Sequence, residues 1–259
     1  GSNTYRGGAG DDVFVISSSD RQENIDGGGG TNTVIFVDEE AMSLNMAQAN
    51  IHIAHAGKGA ATIISGGRTG VYIKGGEGNN TLIGGAGDDV IVGGSGFNTI
   101  IGGTGKALIY GGANGNTIYG AAGDSIIHLG GGDNHVVAGD ANDVIKVGTG
   151  TATVDGGAGI NILELQGSYA DYQIEKINAD DGYQFRISDK TPQRNGTVRF
   201  KNIQKLNFAD ISAIDLTSPN AMPVTDNVRI NAAGLPFDRQ QQPFISPPPL
   251  LANEPILHS

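Results

Sequence analysis

The segment from Gly75 to Glu164 divides without remainder into ten consecutive nonapeptides. Two of them read Gly84-Gly-Ala-Gly-Asp-Asp-Val-Ile-Val92 and Gly93-Gly-Ser-Gly-Phe-Asn-Thr-Ile-Ile101. The shared pattern is G-G-x-G-x-(D/N)-x-U-x, where U is a large apolar residue. A unit this short cannot bury its apolar residue alone, so copies must stack on one another. Glycine at positions one, two and four permits a tight turn. The x-U-x that follows is a short strand whose middle residue points inward. The inward column is Leu82, Ile91, Ile100, Ile109, Ile118, Ile127, Val136, Ile145, Val154 and Leu163, and no position breaks it. Two nonapeptides make one coil, so residues 18 apart should stack.

Composition agrees with a solenoid. The chain has 43 glycines, no tryptophan and 6% aromatic residues, a poor supply for a layered globular core. The net charge of −11 argues against nucleic acid and anionic membrane surfaces, and suits a cation or plain solubility. No cysteine is present, which excludes disulfides and thiolate metal sites. No apolar run approaches ~18 residues, so no membrane insertion is expected. No signal peptide is legible. The chain begins Gly1-Ser2 without methionine, so a natural N-terminus and any preceding domain are expected outside it.

Residues 1–56 read as partial repeats with an insertion. Gly7–Val15 is a full repeat with Asp12 in the acidic slot, and Gly27–Ile35 carries Asn32 there. Phe36–Ala56 is a longer excursion. Residues 57–165 form the regular array, opening with weak repeats at Gly57–Ser65 and Gly66–Lys74. Residues 166–216 change character: Tyr172–Ile174, Tyr183–Ile187 and Val198–Phe200 alternate at period two. Asp181-Gly182 and Asn195-Gly196 are hairpin-turn dipeptides between them. This segment is expected to cap the open end of the solenoid. Residues 217–259 are rich in Pro, Gln and Asn and read as an extended tail.

The sixth position is the acid-or-amide slot of the pattern, an oxygen donor that a hard cation can use. On one side it reads Asn80, Asn98, Asn116, Asn134, Ala152; on the other, Asp89, Ala107, Ser125, Asp143, Asn161. Ca²⁺ takes six to eight oxygens, and its affinity follows ligand charge. No two stacked slots in the array are both aspartate. Stacked Asn can instead hydrogen-bond to one another without metal. Both readings stand for the Asn column. Asp12, Asp89 and Asp143 are the best single ligands, with Asn32 and Asn161 behind them. Asp11, Asp88, Asp124 and Asp133, at position five, are expected to face water.

Outward positions also form columns. Val90, Leu108, Ile126, Val144 and Ile162 make an apolar row on one face, beside Val92, Tyr110, His128, Lys146 and Glu164. A contiguous apolar row usually has a cover. The C-terminal tail, or a partner protein, is the expected one. The opposite face carries Thr81, Thr99, Thr117, His135 and Thr153; a flat Thr column raises a surface-lattice reading, with ice or crystalline polysaccharide as the matching surface, and a carbohydrate is an alternative partner for an outer face. His128 and His135 fall on opposite faces, which disfavours a shared zinc.

There is no G-x-S-x-G elbow, no H-E-x-x-H and no phosphate-binding GK[ST], so no catalytic residues are assigned. The array resembles the RTX, or haemolysin-type calcium-binding, repeat family. Asn195-Gly-Thr197 and Asn202-Ile-Gln-Lys-Leu-Asn-Phe-Ala-Asp210 resemble the segment that often follows such arrays. The resemblance implies an all-β, right-handed parallel β-roll, bacterial type I export and calcium-driven folding outside the cell. The expectation is a non-enzymatic, secreted or cell-surface module for folding, stability and spacing, with few calcium ions. The alternatives are an adhesive or carbohydrate-binding solenoid, or an accessory module of a larger secreted enzyme or toxin.

Overall fold

A computed structural model describes residues 4–17, 24–177, 179–191 and 193–218. Two long sheets face each other across one apolar core. The first has eleven strands, from Val13–Ile16 to Ile214–Asp215; the second has ten, from Met42–Asn45 round to Tyr172–Lys176. Successive strands of the array alternate between the sheets and pair in parallel, in the 18-residue register expected. In the first sheet Ile91 pairs with Ile109, Ile109 with Ile127, Ile127 with Ile145 and Ile145 with Leu163. In the second, Leu82 pairs with Ile100, Ile100 with Ile118, Ile118 with Val136 and Val136 with Val154. All ten residues of the predicted inward column are 0% exposed. Each contributes about 1.5–3 kcal/mol of transfer free energy before entropy is counted.

The turns stack as closely as the strands. Gly112 has φ of +116°, and a Cβ there would lie 1.9 Å from the Gly94 carbonyl oxygen; Gly130, with φ of +77°, would meet the Gly112 oxygen at the same distance. Gly131 N–H donates to that Gly112 oxygen at 2.9 Å. Glycine is needed there for its conformation and for the approach.

The N-terminal coils are longer. Phe14 pairs with Val34, 20 positions on, and Leu44 with Ile63, 19 positions on. Phe36–Ala56, expected as a coil with an insertion, follows the coil path: a strand Met42–Asn45, a short helix Met46–Ala49 and a strand Ile53–His55. The Asn45 side chain accepts the Gln48 N–H, and Asn50 ends the helix in the left-handed region with φ of 52°. The extra residues shift the frame. A nonapeptide at Gly57–Ser65 would turn Ile64 inward, but Ile63 is the buried residue, paired with Leu82.

The end of the solenoid holds a further coil. Thr197–Lys201 pairs in parallel with Ala152–Asp155, and Lys205–Asn207 with Ile162–Glu164. Phe200, larger than the Val154 beneath it, and Leu206, on Leu163, thereby continue the two inward columns, both 0% exposed. Tyr172–Lys176 and Phe185–Asp189 add two antiparallel strands to the second sheet. Neither predicted turn dipeptide sits at a two-residue hairpin end: Asp181-Gly182 falls between the strands ending at Lys176 and starting at Phe185, and Asn195-Gly196 between those ending at Asp189 and starting at Thr197. Asn195 is buried and structural: it accepts the Tyr172 hydroxyl at 2.6 Å and donates to the Val147 carbonyl at 2.8 Å. Beside it Arg194 forks onto Asp189 and reaches Asp171 at 2.8 Å. The predicted tail, from 219 onward, lies outside the described residues.

Candidate functional site

Position six ends the turn and opens each strand, so its side chain is caught between coils. Asn80, Asn98, Asn116 and Asn134 are all buried. Asn80 donates its backbone N–H and its Nδ2 to Asn98 Oδ1, at 3.2 and 2.9 Å. Asn98 does the same to Asn116, at 3.2 and 3.0 Å, and Asn116 to Asn134, at 3.1 Å twice. The Nδ2 groups also reach turn carbonyls, as Asn80 does to Gly78 at 2.7 Å. An amide oxygen has two lone pairs. Those of Asn98, Asn116 and Asn134 are therefore committed to N–H donors, and the column does not fit a calcium ion. Of the two readings open from the sequence, the structure draws the ladder.

The other column runs Asp12, Asn32, His52, Val71, Asp89, Ala107, Ser125, Asp143, Asn161 and Gln204. It obeys the same rule: a side chain accepts the backbone N–H of the preceding coil. Asn32 Oδ1 takes Asp12 N–H, Asp89 Oδ1 takes Val71 N–H, Asp143 Oδ1 takes Ser125 N–H and Asn161 Oδ1 takes Asp143 N–H. The relay closes on Gln204, which accepts the Asn161 N–H at 2.7 Å. Opposite the alanine slots the backbone substitutes: Asp89 N–H bonds the Lys106 carbonyl and Asn134 N–H the Thr151 carbonyl. His52 and Gln204 were missed in the sequence, because the coils that hold them are not regular nonapeptides.

Position five carries a second relay with the opposite sense. Phe97 N–H bonds Asn79 Oδ1, Lys106 N–H bonds Asp88 and Asn142 N–H bonds Asp124. Asp11 likewise accepts Thr31 N–H at 2.6 Å. Asp133 takes the Thr151 hydroxyl. These carboxylates are exposed, as expected, but are engaged between coils.

The five candidate ligands do not converge; they are spread along one column. Among the described residues, no three His, Asp or Glu gather as a metal would require. Asp12 Oδ2 accepts Gly8 N–H. Asn32 Nδ2 donates to the Gly29 and Asn50 carbonyls, and Asn161 Nδ2 to Gly156 and Ala158. Asp89 and Asp143 are both 0% exposed. In Asp89 each oxygen has a backbone donor, Val71 N–H at 2.9 Å and Gly85 N–H at 2.6 Å, yet burial still pushes the carboxyl upward. Asp143 lacks the second donor. Its Oδ2 is buried without a partner, and burial, resisted by hydrogen bonds from Ser125, pushes it up to about 7. A buried carboxylate oxygen with no donor fits a cation in a way that the Asn ladder does not.

The predicted apolar row lies on the outside of the first sheet. Val90 is buried between Tyr72 and Leu108, while Leu108, Ile126, Val144 and Ile162 are half-buried. Beside it Tyr110 and His128 stack at 4.4 Å, and Lys146 pairs with Glu164 at 3.4 Å. Burial, with Lys146 nearby, lowers the His128 pKa.

No curated protein matches the chain. Family comparison does: residues 1–15, 67–100, 92–127, 110–145 and 128–163 match the RTX calcium-binding nonapeptide repeat (4 copies). The matched segments hold most of the coils whose turns and columns have just been described, and these coils are RTX calcium-binding nonapeptide repeats.

Proposed function

We propose that this β-solenoid is a non-enzymatic folding and spacing module of a secreted or cell-surface protein, in which the Asn ladder replaces most of the calcium. The observation that carries the reading is the contrast between the columns. The oxygens of Asn98, Asn116 and Asn134 are spent on N–H donors, whereas Asp143 keeps a buried oxygen without one. Calcium is then confined to the first-sheet column, with Asp143 as its principal side-chain ligand and Asp89 and Asp12 as lesser ones. Bound there, the ion supplies charge to a buried carboxylate. Few ions bind, and the coil itself needs none. The repeat match supports calcium and export, since such repeats are typical of secreted bacterial proteins.

Circular dichroism and calorimetry on the chain in EGTA test this. A β-sheet spectrum without calcium, and a stoichiometry of one to three ions on titration, is the expected result. A coil-to-sheet transition on adding calcium would sink the ladder as the metal-free framework.

A further inference from the structure

A shallow trough of about 620 Å³ lies along the outside of the second sheet. Gly115, Asn116 and Thr117 are part of its lining. Phe97 stands at one end, Arg186 and Arg199 at the other, and Asp133 and His135 between them. The volume falls in the range of small-molecule sites.

Three features of the trough are not explained by the fold. Phe97 is 63% exposed, at a turn position that the next coils fill with Gly115, Asp133 and Thr151. The position-five relay also stops here. Phe97 and Gly115 carry no acceptor, so the N–H groups of Gly115 and Asp133 lack the side-chain partner that Asn79 gives Phe97. Finally, Thr99, Thr117, His135 and Thr153 line the trough in one row, one strand spacing of ~4.8 Å apart. His135 Nδ1 and Thr153 Oγ1 are already 2.9 Å apart. An exposed ring, free donors and a regular row of hydroxyl and imidazole groups suit an elongated ligand that is apolar on one face and rich in hydroxyls on its edges.

Charge narrows the class. Arg186 is paired with Glu175 at 2.6 Å, Arg199 with Asp181 at 2.8 Å, and Asp133 is a negative charge within the lining. The trough offers no uncompensated positive charge, and a chain of net charge −11 repels polyanions. We propose that the trough binds a linear, uncharged oligosaccharide along the solenoid axis, with one sugar ring on Phe97 and its hydroxyls on the Thr117–His135 row. This goes beyond the spacing role and does not depend on calcium.

The test is calorimetry of the full chain with cellohexaose, chitohexaose and mannohexaose, alongside a polygalacturonate hexamer. At least one neutral hexasaccharide should bind, and Phe97→Ala should weaken it tenfold or more. Phe97 is exposed, so that variant should keep its circular dichroism. Tyr110→Ala, on the other sheet, should leave binding unchanged. The proposal is overturned by no binding of the three neutral probes, by equal affinity in Phe97→Ala, or by tighter binding of the polygalacturonate.

Discussion

Replacing Asp143 with asparagine should stabilise the calcium-free protein, although it removes the best ligand. The carboxyl is 0% exposed, and its Oδ2 has no donor. Burial raises it from an ordinary 3.8 to about 7. At ~1.4 kcal/mol per tenfold in proton affinity, keeping it ionised in the folded state costs about 4 kcal/mol. The sign follows from the direction. Below pH ~4 the group is neutral in both states and costs nothing. As pH rises from there to about 7, the unfolded chain ionises first and stability is lost; above that the full penalty remains. The introduced amide avoids it. Its oxygen can keep the Ser125 N–H, now held at 2.7 Å. Its nitrogen can donate to turn carbonyls, as Asn161 does at 2.8 and 2.9 Å. Urea unfolding in EGTA should therefore show Asp143→Asn about 2–4 kcal/mol more stable than the parent at pH 8, the lower end allowing for relaxation and water entry. The two should be nearly equal at pH 4. Saturating calcium should stabilise the parent more than the variant, which keeps only the lesser ligands Asp89 and Asp12. A variant no more stable than the parent at pH 8 without calcium would refute the claim that this oxygen is an uncompensated buried charge.

Other perturbations separate the remaining parts. Asn116→Asp removes the donors to Asn114 and Asn134 and sets a carboxylate against the Asn134 oxygen; a loss of about 2–4 kcal/mol is expected in urea at pH 7 with EGTA, and less than about 1 would mean that the ladder contributes little. Ile118→Ala empties a fully buried site in the inward column and should cost about 2–5 kcal/mol by the same assay. Arg194→Lys loses the fork onto Asp189 and the contact to Asp171, so hydrogen exchange should quicken in Tyr172–Lys176 and Phe185–Asp189 while the regular coils stay protected. Uniform loss of protection would contradict a local role for that fork.

The inward column was legible because its period is strict: with nine residues per half-coil, Leu82 to Leu163 can occupy only one face. The N-terminal coils were less so. One extra residue in the turn between Ile63 and Ile73 puts Ile63 in the core in place of Ile64. No local feature of the sequence announces that shift. The final coil was hidden for a related reason. Its two halves, around Phe200 and Leu206, follow an inserted hairpin, so spacing along the chain says nothing about stacking. The acidic slots could be sorted by side from the register alone. That Asp143 lacks the donor that Gly85 gives Asp89 depends on the local path of one turn. The trough draws on four successive coils and two later strands; the register gave its row of Thr99, Thr117, His135 and Thr153, while the arrival of Arg186 and Arg199 depends on the inserted hairpin.

The buried relay at position six has a fixed sense: each coil is completed by the one after it, and Gln204 completes the last of the first-sheet column. A solenoid wired this way is a ruler with one finished end. Removing or adding 18 residues within Gly75–Glu164 keeps every donor facing an acceptor and changes the length by ~4.8 Å. Cutting the chain after any regular coil strands the buried N–H groups of that coil. Length is thus free to vary in the middle of the array, while the C-terminal coil must accompany whatever length is chosen.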